Sequence, residues 1–292
     1  MIVKEINVKE IMSRSNLPVS DYSVDPYVGC SHACKYCYAS FMKRFTNHPE
    51  PWGDFVDVKF WEPLKNREKY RGKEAFFSGV TDPYQPLEAK YKRTRQILEE
   101  LSGTGIRISI STKSDLIRRD LELIKSFEGA RVSWSINTLD EDFRKQMDRG
   151  VSIERRLKCM KEFYDAGIDT TFFISPIFPG ITDVKALIDE SIGKCNLVWL
   201  ENLNLRGDYK PRILSFIHEN HPELDDLYHQ IYTKKDRTYW KKLDEEIREY
   251  CANKGLRYYR NDDTKRAKHG EDPIVVNYFY HEEVRKNPKE KE

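Results

Sequence analysis

Short runs of β-branched and aromatic residues alternate along this chain with longer stretches whose apolar residues recur at three- and four-residue intervals. The first pattern is typical of buried strands, and the second of helices that pack one face against a sheet. Strands that alternate with helices form parallel sheets, because each helix returns the chain to the same end of the sheet. The predicted strands are 22–28, 75–80, 107–112, 132–137, 170–175 and 197–203.

The stretches between these strands have the periodicity of amphipathic helices. A further, strongly charged helical pattern runs from about residue 211 to 254 and is followed by a short strand candidate at 257–260. The helices predicted between the strands are 93–101, 116–127, 153–166 and 184–192.

At 292 residues and 39% hydrophobic content, the chain suits one large core rather than two equal domains. The six units predict an α/β fold, a partial (β/α)6 TIM-like barrel with a helical C-terminal extension. We predict an N-terminal extension at 1–20, the core barrel at 21–207, a mostly helical extension at 208–281, and a disordered tail rich in Lys and Glu at 282–292.

Cys30, Cys34 and Cys37 lie within eight residues, in the spacing Cys-x3-Cys-x2-Cys. Three thiolates on one tight loop can hold three irons of a [4Fe-4S] cluster and leave the fourth iron open to a substrate or cofactor. This loop follows the first predicted strand at its carboxyl end, where barrel enzymes place their active sites. The spacing therefore predicts a reactive cluster rather than a store of electrons.

The cysteine spacing, the aromatic Tyr36 before the last cysteine and the following Tyr38-Ala39 resemble the signature of the radical S-adenosylmethionine (SAM) enzymes. The resemblance spans residues 21–205. It implies that a [4Fe-4S] cluster reductively cleaves SAM to a 5'-deoxyadenosyl radical, which abstracts a hydrogen from a substrate. It also implies an external one-electron reductant of the flavodoxin or ferredoxin type.

Segments 25–29, 51–59, 79–86 and 111–114 resemble the spore photoproduct lyase-like branch of these enzymes, and within it the radical SAM mobile pair protein B group. The branch implies a nucleic acid or nucleotide as the leading substrate, and the group's name implies a paired radical SAM protein as a partner. Spore photoproduct lyases carry a hydrogen-donor cysteine near the end of the second strand. Segment 77–82 contains no cysteine, so dimer repair through that donor is not expected.

Polar residues at the ends of the predicted strands are the candidates for holding SAM. Thr81 and Asp82 would accept from its amine, Ser111 and Lys113 would meet its carboxylate or ribose, and Arg156 would pair with its carboxylate. The full set of predicted cofactor contacts is Tyr36, Tyr38, Thr81, Asp82, Ser111, Lys113, Ser135, Asn137, Arg156 and Asn202.

Some of these positions have a second interpretation. Asp82, which precedes Pro83, is also typical of a turn residue, and Lys113 also suits a solvated strand end. Tyr84 is the candidate hydrogen-atom relay and the one catalytic side chain that we predict outside the cysteine loop.

Thiolate and imidazole ligands also suit zinc, so the cysteine loop with His32 or His48 is an alternative metal site. The other cysteines, Cys159, Cys195 and Cys251, are widely spaced, and two of them fall in helical apolar patterns. This spacing indicates buried structural thiols rather than a second cluster.

The substrate is less constrained by the sequence. A net charge of +2 neither demands nor excludes a nucleic-acid partner. Segments 90–95 and 234–242 interleave basic and aromatic residues, a pattern typical of nucleic-acid contacts or of a solvated helix face. The same chemistry on a peptide or small metabolite is one alternative, and a non-enzymatic metal-binding or electron-transfer protein is another.

The chain has no apolar run of transmembrane length, and its first ten residues lack a charged-then-apolar signal. We therefore expect a cytoplasmic protein with no membrane partner. Reduced cysteines are the rule in that compartment, which favours metal ligation over disulfides.

Overall fold

The computed structural model describes residues 1–15, 20–262 and 264–280. The predicted tail at 282–292 lies outside these ranges. The strands are β1 (Ile2–Asn7), β2 (Met12–Arg14), β3 (Tyr22–Val24), β4 (Tyr27–Val28), β5 (Phe55–Phe60), β6 (Glu74–Phe77), β7 (Arg107–Thr112), β8 (Arg131–Ser135), β9 (Asp169–Ile177), β10 (Leu197–Asn202), β11 (Tyr258–Arg260) and β12 (Ile274–Asn277).

The helices follow the predicted alternation with the strands. The α-helices are α1 (Glu88–Tyr91), α2 (Arg93–Leu101), α3 (Leu121–Lys125), α4 (Glu141–Met147), α5 (Ile153–Asp165), α6 (Val184–Ser191), α7 (Tyr209–Asn220), α8 (Asp225–Tyr232) and α9 (Thr238–Asn253). Short 3-10 helices occupy Tyr38–Phe45, Arg67–Tyr70, Leu116–Asp120 and Pro222–Leu224.

The larger sheet contains nine strands within the described ranges, in the order β11-β12-β10-β9-β8-β7-β6-β3-β2. Every neighbouring pair from β11 to β3 is parallel, and β2 adds an antiparallel edge. Strands β3 and β6 to β10, which match the six predicted strands, are consecutive neighbours in this sheet. The prediction of a parallel α/β fold is therefore confirmed.

The predicted first strand at 22–28 is wrong in its extent. Its first half is β3 in the large sheet, whereas its second half is β4 in a smaller sheet of order β1-β5-β4. The break falls at Pro26, which has no backbone N–H for a ladder bond. Asp25 beside it accepts a hydrogen bond from Val80 N at 3.0 Å, so the chain is held to the end of β6 at the break.

The sheet also continues beyond the six predicted strands. β12 pairs with β10 in parallel and β11 pairs with β12, so the region after residue 207 contributes strands as well as helices. We predicted β11 to within one residue but missed β12. A four-residue apolar strand cannot be told from other short apolar runs by periodicity alone.

The two faces of the large sheet differ in chemistry, because side chains alternate along each strand. One face packs against α2, α3, α5, α6 and α9 in the main hydrophobic core. The opposite face, which we call the inner face, carries mostly hydroxyl side chains on its central strands. Its residues in the middle of β7 to β9 include Ser109, Ser111, Ser133, Ser135, Thr171 and Phe173.

Candidate active site

The cysteine loop depends on close backbone packing at its start. Gly29 has φ +89°, and a Cβ at this position would lie 2.4 Å from Phe55 O. Within the loop, Ala33 N donates to Cys30 O at 3.2 Å and Cys37 N donates to Cys34 O at 3.1 Å. Glycine is therefore the residue type that lets the chain leave β4 so close to β5.

Backbone hydrogen bonds fix the loop to two other segments. Lys35 N donates to Met147 O at 2.9 Å, and Arg149 N donates to His32 O at 2.7 Å. On the other side, Ser31 N donates to Gln85 Oε1 at 3.0 Å. Because Gln85 belongs to the turn after β6, the three cysteines are held at the carboxyl end of the parallel strands.

The loop thiols are enclosed by protein. Cys30 and Cys34 are buried and Cys37 is half-buried. Burial raises the pKa of all three thiols, and raises that of Cys34 to about 12. Lys113 lies close enough to Cys34 to counter this, because its positive charge favours the thiolate that binds metal.

Asp82 connects the cysteine loop to two strand ends. Its Oδ1 accepts from Tyr84 N and from Thr112 Oγ1, both at 2.8 Å. Its Oδ2 accepts from Lys113 N at 2.8 Å and lies 3.1 Å from His32 Nε2. Burial acts to raise the pKa of Asp82, but His32 and the backbone donors hold it below its usual range.

Three hydrogen bonds and the neighbouring His32 ring thus engage both oxygens of Asp82. The carboxylate that we predicted to accept from the SAM amine is bonded to the protein in this structure. The bond to the backbone N–H two residues further along is an Asx turn, which was the alternative interpretation. In this structure Asp82 therefore positions the loop.

Thr81 also binds the protein rather than facing the site with a free hydroxyl. Its Oγ1 donates to Gly29 O at 2.6 Å and accepts from Gln85 Nε2 at 3.1 Å. Gln85 is fully buried and is the residue that ties Thr81, Ser31 and Gly29 together. The predicted contact between Thr81 and the SAM amine is thus replaced by a contact that supports the loop.

Arg156 is buried and paired with Asp148 rather than left open for a SAM carboxylate. Its Nη2 donates to Asp148 Oδ1 at 2.6 Å, its Nη1 to Ser135 O at 3.1 Å, and its Nε to Val151 O at 2.9 Å. Only 1% of Arg156 is exposed. In this structure Arg156 fixes the segment to which the cysteine loop is bonded, and its pairing with a SAM carboxylate stays a prediction.

Tyr36 and Lys113 both lie at the cysteine loop, and their contacts with SAM stay predictions. Tyr36 packs edge-on against Phe178 at 5.7 Å, and its hydroxyl donates to Asp148 at 3.4 Å. The Lys113 ammonium lies 5.7 Å from the Tyr36 ring centroid. Burial acts to lower the pKa of Lys113, but Cys34 and Asp148 outweigh it and raise that pKa. Lys113 is therefore charged beside the thiols.

Among the other predicted contacts, the Tyr38 hydroxyl donates to Gly79 O, and the remaining four divide into two groups. Ser111 and Ser135 belong to the inner face at the ends of β7 and β8. Asn137 and Asn202 instead bond to the protein, since Asn137 Nδ2 donates to Pro176 O at 3.1 Å and Asn202 Oδ1 accepts from Tyr280 N at 2.9 Å. The two serines thus stay candidates for ribose contacts, and the two asparagines join neighbouring segments.

Tyr84 belongs to the main hydrophobic core and is fully buried. Its hydroxyl donates to Asp120 Oδ2 at 3.1 Å, and Asp120 pairs with Arg95 at 2.6 Å and with Arg119 at 2.8 Å. Burial raises the pKa of Tyr84. The structure places this hydroxyl against an ion-pair network in the core, and the hydrogen-atom relay stays a prediction.

The histidines of the zinc alternative are engaged by carboxylates. His48 Nδ1 lies 3.1 Å from Glu50 Oε2 and its Nε2 lies 2.8 Å from Asp57 Oδ1. His32 Nε2 faces Asp82 at 3.1 Å. Three of the four ring nitrogens thus face acidic groups, which favours the three-cysteine cluster over zinc.

Sequence reasoning missed several side chains that build this site. Gln85 and His32 are buried against the loop, and Asp148 binds Arg156 and Tyr36. Asp25 accepts from Val80 N, and burial raises its pKa. Gln85 lies inside the 79–86 segment that carried the resemblance, and this was the one available signal.

A parallel α/β sheet with a three-cysteine loop at its carboxyl edge defines a class of iron-sulfur enzymes built on a partial barrel. Within that class, the chain belongs to the Radical SAM superfamily, whose sequence model matches residues 24–189. Members of this superfamily use a [4Fe-4S] cluster and SAM.

Three relatives illustrate the sequence similarity. An uncharacterised protein of Methanocaldococcus jannaschii is 34% identical over 220 residues, 75% of this chain and 83% of the relative. An uncharacterised protein of Mycobacterium tuberculosis is 29% identical over 232 residues, 73% of this chain and 67% of the relative. The Radical SAM Nalpha-GlyT isomerase of Pseudomonas phage M6 is 25% identical over 220 residues, 72% of this chain and 45% of that enzyme.

Two solved structures share the fold. Spore photoproduct lyase with bound AdoMet and dinucleoside spore photoproduct matches with a TM-score of 0.54 and 15% identity, over 76% of this chain and 66% of the lyase. Streptococcus suis SuiB bound to its precursor peptide SuiA matches with a TM-score of 0.53 and 16% identity, over 87% of this chain and 48% of SuiB. The chain therefore shares its fold with both spore photoproduct lyase and SuiB.

Among the described residues, no helix is both long and apolar enough to cross a membrane.

Proposed function

We propose that this protein is a radical SAM enzyme that holds its [4Fe-4S] cluster through Cys30, Cys34 and Cys37 and acts on a nucleic acid or nucleotide. The observation that carries the proposal is the position of three cysteines, two buried and one half-buried, in one loop at the carboxyl edge of the parallel sheet. Three cysteine ligands leave one iron for SAM. When bound, the cluster and SAM supply a 5'-deoxyadenosyl radical that abstracts a substrate hydrogen.

The chain's own residues bind and orient these groups. Lys113 places a positive charge beside Cys34, where it offsets the charge of the thiolates and can meet a carboxylate. Ser111 and Ser135 present inner-face hydroxyls at the ends of two neighbouring strands. Asp82 and Arg156 hold the loop and the segment beneath it in place.

Nucleic acid is the leading substrate class on grounds of similarity. The solved lyase with the same fold holds a dinucleoside photoproduct. The two basic and aromatic segments, 90–95 and 234–242, give this substrate class less support than their sequence indicated. Trp240 is buried, the Arg93 guanidinium lies 4.5 Å from the Phe60 ring centroid, and Arg95 pairs with Asp120. These side chains therefore stabilise the protein.

A peptide substrate is the second candidate. SuiB, which shares the fold over 87% of this chain, was solved with its precursor peptide. A reductant of the flavodoxin or ferredoxin type and a paired radical SAM protein remain our proposed partners.

The test is anaerobic. The protein is reconstituted with iron and sulfide, reduced with dithionite and given SAM, and 5'-deoxyadenosine is measured by mass spectrometry beside a Cys37→Ala control. We expect product from the wild type and none from the variant. A fully loaded wild type that forms no product, and whose paramagnetic spectrum SAM leaves unchanged, would instead indicate an electron-transfer protein.

A further inference from the structure

The segment that directly follows the cysteine loop exposes an unusual number of aromatic side chains. We call Tyr38–Phe45 the entrance segment. Of the eight large hydrophobic side chains exposed within the described ranges, three belong to it: Tyr38 at 57%, Phe41 at 41% and Phe45 at 66%. Large apolar side chains that are exposed together are typical of a binding surface.

The entrance segment lies at the carboxyl edge of the large sheet. The Tyr38 hydroxyl donates to Gly79 O, just after β6, and Ser40 Oγ donates to Asp208 Oδ1 at 2.8 Å, beyond β10. Three strands, β7 to β9, separate β6 from β10 in the sheet. The segment therefore joins the loop after β6 to the loop after β10 at the carboxyl edge of the sheet, and it begins one residue after Cys37.

Its charge is positive. Arg44 is exposed, and its guanidinium lies 5.4 Å from the Phe41 ring centroid and 4.6 Å from that of Phe45. Lys43 adds a second positive charge, and residues 38–45 contain no Asp or Glu. Exposed rings combined with an arginine are the elements with which proteins stack unpaired bases and contact phosphates.

We propose that the entrance segment binds single-stranded nucleic acid, with bases stacked on Phe41 and Phe45 and a phosphate held by Arg44. This inference rests on the nucleic-acid substrate of the proposed function and names the surface that recognises it. Paired bases are already stacked within a duplex, so a single strand is preferred. The entrance segment lies at the carboxyl edge of the sheet, directly after the cysteine loop, and this position favours a nucleic-acid strand over an acidic redox protein.

The test measures binding by fluorescence anisotropy with a labelled oligothymidylate of about ten nucleotides, a length that one such surface can cover. The reconstituted wild type is compared with Phe41→Ala/Phe45→Ala and with Arg44→Glu. Leu139→Ala is the matched control, since Leu139 is 43% exposed outside the segment. Iron content and the melting temperature of each variant verify that it is folded and loaded.

We expect the double variant to raise Kd at least about fivefold, equivalent to about 1 kcal/mol, and Leu139→Ala to leave Kd unchanged. Arg44→Glu should also weaken binding and reduce its salt dependence. The labelled strand should bind more tightly than the same strand annealed to its complement.

Equal oligonucleotide binding by the wild type and the double variant would overturn this inference and leave the nucleic-acid substrate standing. Failure of the wild type to bind any oligonucleotide would overturn both this inference and the nucleic-acid substrate. The radical chemistry is tested separately by the yield of 5'-deoxyadenosine. If the variants lose only reduction by flavodoxin while they retain oligonucleotide binding, the surface docks a reductant and the inference is wrong.

Discussion

The six cysteines form two groups that differ in their surroundings and in the degree of their burial, since the core group is fully buried whereas Cys30 and Cys34 are each 9% exposed and Cys37 is half-buried. The core cysteines belong to the main hydrophobic core, and burial is the first cause that raises the pKa of each. The loop cysteines are fixed by backbone bonds and have charged side chains nearby. Burial alone therefore does not mark a metal ligand. The loop group is Cys30, Cys34 and Cys37, and the core group is Cys159, Cys195 and Cys251.

The largest expected effect separates these groups directly. Cys34→Ala should reduce the reconstituted iron from about four per chain to near zero, because two thiolates do not hold the cluster stably. The measurement is iron and acid-labile sulfide after anaerobic reconstitution.

Cys195→Ala is the matched control, since Cys195 is a fully buried member of the core group. It should keep its iron and lose about 1–3 kcal/mol of unfolding free energy through the small cavity it creates. Loss of iron from Cys195→Ala would contradict the interpretation of the core cysteines as structural thiols.

The next effect concerns the support beneath the loop. Arg156→Met removes the nearest cationic partner of buried Asp148 and should cost up to about 3–5 kcal/mol of unfolding free energy, because among the described residues only the more distant Arg144, at 3.6 Å, remains as an ion-pair partner. Denaturant unfolding measures this cost. The double variant Asp148→Asn/Arg156→Met should lose less than the two single losses combined. Additive losses would show that the pair does not act as a unit.

A smaller effect tests the close approach at the start of the loop. Gly29→Ala would place a Cβ 2.4 Å from Phe55 O at a positive φ, whereas Gly193→Ala has a positive φ but nothing within 4 Å. Both variants should lose about 1–2 kcal/mol through backbone strain. Iron loading should fall in Gly29→Ala alone. Equal loading in both would mean that the loop tolerates a shift of β5.

The sequence predicted the parallel strands and the cysteine loop well, because both depend on local pattern and spacing. It says less about which partner a polar side chain takes. Asp82, after β6, contacts His32, which is far away in sequence, whereas Arg156, in the first turns of α5, pairs with Asp148 only eight residues before it, across the loop that precedes the helix. A polar residue type alone does not say whether a side chain faces a cofactor or the protein.

The smallest expected effect concerns Tyr84, which we predicted to be a hydrogen-atom relay from its position in the sequence alone. Tyr84→Phe removes one buried hydrogen bond to Asp120 and should cost about 1 kcal/mol of unfolding free energy. Because this hydroxyl faces the ion-pair network of the core, the yield of 5'-deoxyadenosine should equal that of the wild type. A Tyr84→Phe protein with normal iron content and a sharply reduced yield of 5'-deoxyadenosine would instead support the relay role of Tyr84. It would show that the core network is connected to the reacting centre.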